Sequence, residues 1–293
     1  MGLCDNRTVI ITGAGGGLGR AYALALAKAG ANVVVNDIRL DAAQDVVNDI
    51  TQAGGKAIAN SDDITTIATA QKIVDAAIAA YGKVDAVVNN AGILRDRMFV
   101  SLTEDDWDAV MRVHLKGHFC LSNILGKYWR DQTKAGVAVD ARIINTSSGA
   151  GLQGSVGQSN YSAAKGGVAT LTLVQSAELK RYGVTANALA PAARTAMTEQ
   201  GMPDMVKKPT DGSFDFYDPM NVAALIVYLV SASSKHVNGQ VFEIEGDRVS
   251  VCDGWKTGPE KKKGGAGYTA EEIGGVIDEL IKQSAPPKKV WGS

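Results

Sequence analysis

Tyr161 and Lys165 stand four residues apart in Tyr-Ser-Ala-Ala-Lys-Gly-Gly-Val-Ala, a run of good helix formers that puts both side chains on one helical face. A free phenol gives up its proton near pH ~10, and an ammonium held beside it favours the phenolate, so the pair describes an acid–base device. Many solvated helices carry such a pair, and Ser148 is what gives this one a context. It lies thirteen residues before Tyr161, at the end of the strand-like Ala-Arg-Ile-Ile-Asn-Thr-Ser-Ser. A hydroxyl at the C-terminal end of one strand and a phenol at the start of the next helix meet over the crevice where open parallel sheets hold ligands. The chemistry implied is proton transfer to or from an alcohol or carbonyl oxygen.

The N-terminus supplies a second device. Thr8 to Thr12 reads as a short buried strand running into Thr-Gly-Ala-Gly-Gly-Gly-Leu-Gly (12–19), with an alanine-rich helix from Arg20 to Ala29. Glycines there let backbone approach a pyrophosphate, and the helix N-terminus adds free N–H groups and positive dipole. The next strand, Asn32 to Asn36, ends in Asp37, eighteen residues beyond Gly19 and close to the spacing of a ribose-binding acid. A carboxylate accepts from two ribose hydroxyls and repels a 2′-phosphate, so NAD is expected rather than NADP. Arg39, two residues on, is the one nearby cation that weighs against that choice.

These motifs resemble the short-chain dehydrogenase/reductase superfamily in Thr-Gly-x-x-x-Gly-x-Gly (12–19), Asn-Asn-Ala-Gly (89–92) and Ser148 with Tyr161 and Lys165, in family order over roughly residues 6–246. The resemblance implies a Rossmann-like domain with NAD(P)-dependent oxidoreductase activity. It implies a cofactor held by Gly13, Gly17, Leu18 and Gly19, by Asp37, by Asp63 and Ile64 beside the adenine, by Asn90, Ala91 and Gly92 near the adjoining ribose, and by Tyr161 and Lys165. A closer similarity, to the dehydrogenase unit of multifunctional enzyme type 2, rests on residues 89–97, Arg-Val-His-Leu-Lys-Gly (112–117) and residues 157–165. That group implies a 3-hydroxyacyl-CoA or a 17β-hydroxysteroid as the alcohol, with CoA-linked sterol side chains among bacterial relatives.

Two positions depart from the superfamily pattern. His114 stands where most members carry asparagine; an imidazole there either joins Lys165 to a water-borne proton relay or is a core histidine bound to backbone. After the sixth strand the usual Pro-Gly is replaced by Pro191-Ala192-Ala193-Arg194-Thr195, where backbone near Ala193 and the Thr195 hydroxyl remain able to meet the cofactor.

The elements required to place these groups are legible. Strand-like runs at 8–12, 32–36, 56–60, 84–89, 141–146, 184–190 and 240–245 alternate with helical stretches. Right-handed parallel crossovers then give an α/β, doubly wound, seven-stranded parallel sheet with helices on both faces. Thr103 is placed to cap the helix that carries His114. Residues 195–218, broken by Gly201, Pro203, Pro209 and Gly212, read as a substrate loop with short helical pieces. The main domain is set at 1–253 and a C-terminal extension at 254–293. In the extension, Thr269 and Glu272 fit a capping box, and Ile273, Val276, Ile277, Leu280 and Ile281 form an apolar stripe. A helix near 269–284 is therefore expected to dock, over the active site, the core or another subunit.

A content of 45% hydrophobic and 21% charged residues supports a substantial core. Thirty basic and 31 acidic residues balance, which gives no general case for nucleic acid or an anionic membrane. No run suits membrane insertion, and three cysteines without ligand spacing leave no metal site and a reducing, cytoplasmic setting as expectations. The C-terminal Lys-Lys-Val-Trp-Gly-Ser is not a peroxisomal address. By the family resemblance, helices around 104–129 and 158–182 pair with another copy in a homodimer or homotetramer. An NAD-responsive binding protein without turnover is the reading from another class, and it has no need of Ser148, Tyr161 and Lys165 together.

Overall fold

The computed structural model describes residues 2–201, 203–286 and 289–293. Apolar runs four to nine residues long form the strands β1 (Thr8–Thr12), β2 (Asn32–Asn36), β3 (Lys56–Asn60), β4 (Ala86–Asn89), β5 (Ala141–Thr146), β6 (Val184–Ala192) and β7 (Val241–Glu245). They pair in parallel, and the sheet order is β3-β2-β1-β4-β5-β6-β7-β8. Chain direction along the sheet reverses between β1 and β4, and this switch opens a crevice at the strands' C-terminal ends.

The eighth strand corrects the expected seven. Arg248–Val251 returns antiparallel to β7, with Glu245 opposite Arg248 across a two-residue turn in which Gly246 has φ +52°. Left-handed backbone at the first turn residue is what glycine permits in a tight hairpin. All four residues of β8 are exposed, so no continuous apolar run announces the strand.

Both faces of the sheet are covered. Val9, Ile11, Val33, Val35 and Val88 pack with α1 (Gly17–Lys28), α2 (Leu40–Gln52) and α9 (Pro219–Val230). Ile10, Val34, Val87 and Ile143 point the other way, against α3 (Ile67–Tyr81) and α5 (Gly117–Lys134). Alternate side chains of one strand thus enter separate cores, which is why these strands read as unbroken apolar runs.

At the opposite end of the sheet from the crevice, a buried cation locks β5. Arg142 donates to Asp140 at 2.7 Å, to Ser234 Oγ at 3.1 Å and to the Ser231 carbonyl at 3.2 Å. Asp140 also receives Arg7 at 3.0 Å. A buried guanidinium with this many acceptors keeps its charge without a stranded donor.

The C-terminal extension forms its helix, α10 (Ala270–Gln283), with the capping box of Thr269 and Glu272 complete. Its expected docking is not seen within the chain: no residue of α10 is buried, and Ile273, Ile277 and Ile281 are exposed. The last residues dock instead. Ser155 and Trp291 form a parallel bridge, with Val156 N–H donating to the Trp291 carbonyl at 2.9 Å.

Candidate active site

Each site residue is placed by a fold element. Ser148 ends the β5 segment as the N-cap of α6 (Gly149–Gln153), its Oγ accepting from Ala150 N–H at 3.2 Å. Tyr161 and Lys165 lie in the first turns of α7 (Ser159–Leu179), on one face as their spacing predicts. Ser148 hydrogen-bonds the Tyr161 side chain, and Lys165 Nζ stands 5.6 Å from the phenol ring centre. The amine donates to the Thr146 carbonyl at 2.6 Å, tying α7 to the end of β5.

The charge states differ from the simple expectation. Burial pushes the Tyr161 phenol above its ordinary range; the Ser148 hydrogen bond opposes this and the Asp96 carboxylate adds to it. Burial also pulls Lys165 down to about 7. Near neutral pH the amine therefore carries only part of its charge, and in the chain alone it does not draw the phenol toward working pH. The same low-dielectric surroundings disfavour both ions, and a few ångströms of separation do not offset that.

His114 sits in a π-helical turn, Arg112–Lys116, between α4 (Glu104–Met111) and α5. The expected single long helix is thus interrupted at its functional candidate, as π turns often are. The capping role of Thr103 holds, with Asp106 N–H donating to its hydroxyl at 3.1 Å. His114 Nε2 is 2.8 Å from the Ile93 carbonyl oxygen and 3.0 Å from the Ile93 amide nitrogen; its tautomer decides which it serves. Burial, with Lys165 adding to it, holds its pKa down at about 3, so the ring is neutral. It meets Tyr161 edge to face at 5.2 Å, while its Nδ1 is buried with no protein partner. The backbone pairing expected of a core histidine is present, and no direct bond joins His114 to Lys165 among the described residues.

A cleft of about 610 Å³ joins Tyr161, Lys165 and His114 to the glycine loop, lined also by Gly13, Gly17, Leu18, Asp37, Asp63, Ile64, Asn90, Ala91, Gly92 and Thr195, while Ser148 does not line it. Gly19 does not line it: a β-carbon there would lie 2.2 Å from the Gly13 carbonyl oxygen, so this glycine serves close packing of helix on loop. Gly13 has φ +62° and no room for a β-carbon beside Ala91. Asp37 accepts from Gly15 N–H at 3.0 Å and Arg39 N–H at 3.1 Å, which fixes its carboxylate at the end of β2. The Arg39 side chain lies 3.5 Å from the same carboxylate. Asp63 is held by the Thr65 amide and hydroxyl, both at 2.8 Å. Asn90 binds the Thr12 and Gly13 carbonyls at 3.0 and 3.3 Å, so it braces the glycine loop from within. Thr195 lies against Gly17 and caps α8 (Ala196–Gly201) through Thr198. This set of close-approach glycines, free helix N-terminus and ribose-distance carboxylate fits a dinucleotide.

Several supports were not singled out in the sequence. Asn160, fully buried, accepts from Tyr161 N–H at 2.8 Å and donates to the Arg95 and Asp106 carbonyls at 3.1 and 3.3 Å. Ser147 Oγ donates to the Lys165 carbonyl at 2.9 Å. Below them Asn89, Asn145, Ser122, Thr172 and Gln175 form a closed buried network that fastens β4 and β5 to α5 and α7. The only sequence signal was polarity at the ends of apolar strands.

The short chain dehydrogenase family model matches residues 7–205, covering glycine loop, Ser148, Tyr161 and Lys165 together. The chain belongs to the short-chain dehydrogenases. It is an oxidoreductase of that family, whose members use NAD(P). It is 47% identical over 258 residues to hydroxyacyl-CoA dehydrogenase ChsB1 of Mycobacterium tuberculosis, a match covering 84% of this chain and 80% of that protein. It is 41% identical over 250 residues to peroxisomal multifunctional enzyme type 2 of Mus musculus, covering 82% of this chain and 32% of that much longer protein. A short chain dehydrogenase from Mycobacterium avium superposes over 100% of both chains with a TM-score of 0.91 at 50% identity. Among the described residues no helix is long and apolar enough to cross a membrane, and no cluster of metal-ligating side chains occurs.

Proposed function

We propose that this short-chain dehydrogenase oxidises a 3-hydroxyacyl-CoA to the 3-ketoacyl-CoA with NAD. The observation that carries the reading is Tyr161 and Lys165 lining one cleft with the glycine loop and the Asp37 carboxylate, with the Ser148 hydroxyl beside the Tyr161 phenol. The relative named as a hydroxyacyl-CoA dehydrogenase suggests the substrate class, and a sterol-derived acyl group is its finer form.

Bound NAD supplies the hydride acceptor. The glycine-loop amides around Gly13, Gly17 and Leu18 would hold its pyrophosphate, with Thr195 across from Gly17. Asp37 would take the adenosine ribose hydroxyls, with Asp63, Ile64, Asn90, Ala91 and Gly92 along the cleft. Lys165, held by the Thr146 carbonyl, would hold the nicotinamide ribose. Tyr161 Oη would accept the alcohol proton as the phenolate, its own proton having first left to solvent, and Ser148 Oγ–H would orient the oxygen that becomes the carbonyl. His114, neutral and anchored at Ile93, leaves Nδ1 buried without a protein partner, an acceptor for passing the proton onward in the tautomer whose Nε2 donates to the Ile93 carbonyl. Asp37 would repel a 2′-phosphate, an effect that the Arg39 guanidinium 3.5 Å away partly offsets.

NADH or NADPH formation across 3-hydroxyacyl-CoAs and 17β-hydroxysteroids tests the reading. The highest kcat/KM is expected for an acyl-CoA with NAD. A steroid alcohol preferred over every thioester replaces the substrate class, and faster turnover with NADP removes the assigned role of Asp37.

A further inference from the structure

The geometry points to Trp291, near the C-terminus, as part of the acyl-binding surface and a determinant of substrate size. This inference rests on the acyl-CoA reading above. A β-carbon built on Gly149, the residue after Ser148, would lie 2.2 Å from Trp291 Cη2, 2.6 Å from Cζ2 and 3.2 Å from Cζ3. Its three nearest neighbours are all atoms of the indole's six-membered ring, so the indole lies on the backbone that leads out of the catalytic serine.

The segment is held there by main-chain bonds. Trp291 N–H donates to the Gly154 carbonyl at 3.2 Å, and its own carbonyl receives Val156 N–H at 2.9 Å. The same loop is fastened on its far side, where Arg97 N–H donates to the Gly157 carbonyl at 2.8 Å and Gln158 to Asp96 at 2.8 Å. Docking does not consume the apolar surface. Trp291 keeps 48% exposure, Val156 44% and Val290 39%, which leaves apolar surface reaching Gly149, the residue after Ser148. A substrate whose carbinol oxygen is fixed between Ser148 and Tyr161 extends from that point, and a long acyl tail is the part of it that gains by covering apolar surface.

The test compares 3-hydroxybutyryl-CoA with 3-hydroxyhexadecanoyl-CoA in wild type, Trp291→Ala, Gly149→Ala and the double variant. For Trp291→Ala the ratio of kcat/KM, long over short, is expected to fall by about tenfold or more, chiefly through KM of the long substrate. Gly149→Ala, whose new methyl displaces the indole, is expected to lower the ratio similarly. The double variant is expected to do no worse than Trp291→Ala alone, because the clash disappears with the ring. An unchanged ratio in Trp291→Ala, whether activity is intact or both substrates suffer alike, overturns the inference; equal loss reduces Trp291 to a clamp on the Ser148 loop. Gly149→Ala failing to fold leaves the Trp291→Ala ratio decisive. Wild type inactive on both thioesters sinks the acyl-CoA reading, and this inference with it.

Discussion

Tyr161→Phe keeps the ring, its edge contact with His114 and the packing of α7, and removes only the hydroxyl that exchanges the substrate proton. Turnover is expected to fall by ~10²–10⁴-fold with cofactor affinity retained; titration of NAD against the variant, beside its kcat, checks this. Near wild-type kcat in a folded variant refutes the proton-transfer role. Lys165 gives a second test through pH. Its folded pKa, about 7, lies below the ordinary lysine value of 10.5, so between these values the unfolded chain binds more protons and stability rises with pH. Below about 7 both states are protonated and the whole penalty of a buried ammonium is present. Lys165→Met is therefore expected to raise the melting temperature relative to wild type more at pH 6 than at pH 9. A gain that does not shrink toward high pH shows that the burial penalty was misjudged.

At the scale of elements, Asn160 is the hinge between recognition and support. Asn160→Ala strips an acceptor from Tyr161 N–H and a donor from two carbonyls of the neighbouring α4 and 93–97 segments. A stability loss of about 1–3 kcal/mol is expected. A drop in kcat of roughly 10–100-fold from the displaced phenol is expected beside it. A melting curve that shifts while kcat holds would limit Asn160 to holding the helix. Its importance was hidden in the sequence, where the adjacent tyrosine carried the pattern. The strands, the α7 pair and the glycine loop were legible because apolar runs and i, i+4 spacing are local properties. The π turn was not: Arg-Val-His-Leu-Lys has ordinary helix propensity, and the extra residue is set by how α4 and α5 meet α7. The Asn89–Asn145 network was equally silent, since its bonded partners lie up to 56 residues apart before the sheet closes. For α10, the stripe and capping box gave the helix correctly, but amphipathicity does not name a partner, and the residues that docked were a valine and a tryptophan beyond it.

For the molecule as a whole, we propose that a second copy packs against α4, α5 and α7, as the family resemblance implies. Phe119 and Val174 remain nearly half exposed along one groove of about 640 Å³, and Leu173 and Trp107 add to the same apolar group of helices. Exposed aromatic and aliphatic side chains in this number suit an interface between copies. The double variant Phe119→Glu/Val174→Glu is expected to sediment as a monomer where wild type sediments as a dimer or tetramer; identical sedimentation of the two places the interface elsewhere.

The buried Arg142 bears on how such a chain is made. Its guanidinium finds Ser231 and Ser234 on residues 89 and 92 positions later. At a synthesis rate of about 5–20 residues per second, those partners are polymerised roughly 5–18 s after the arginine itself. Until then β5 holds a cation whose acceptors are Asp140, the Ala141 carbonyl and whatever water reaches it, and burying it early costs more than leaving it wet. The β3-β2-β1-β4 half of the sheet has no such debt. The nascent chain is thus expected to consolidate its nucleotide-binding half on the ribosome and to seat β5, with the serine it delivers, only once α9 has emerged.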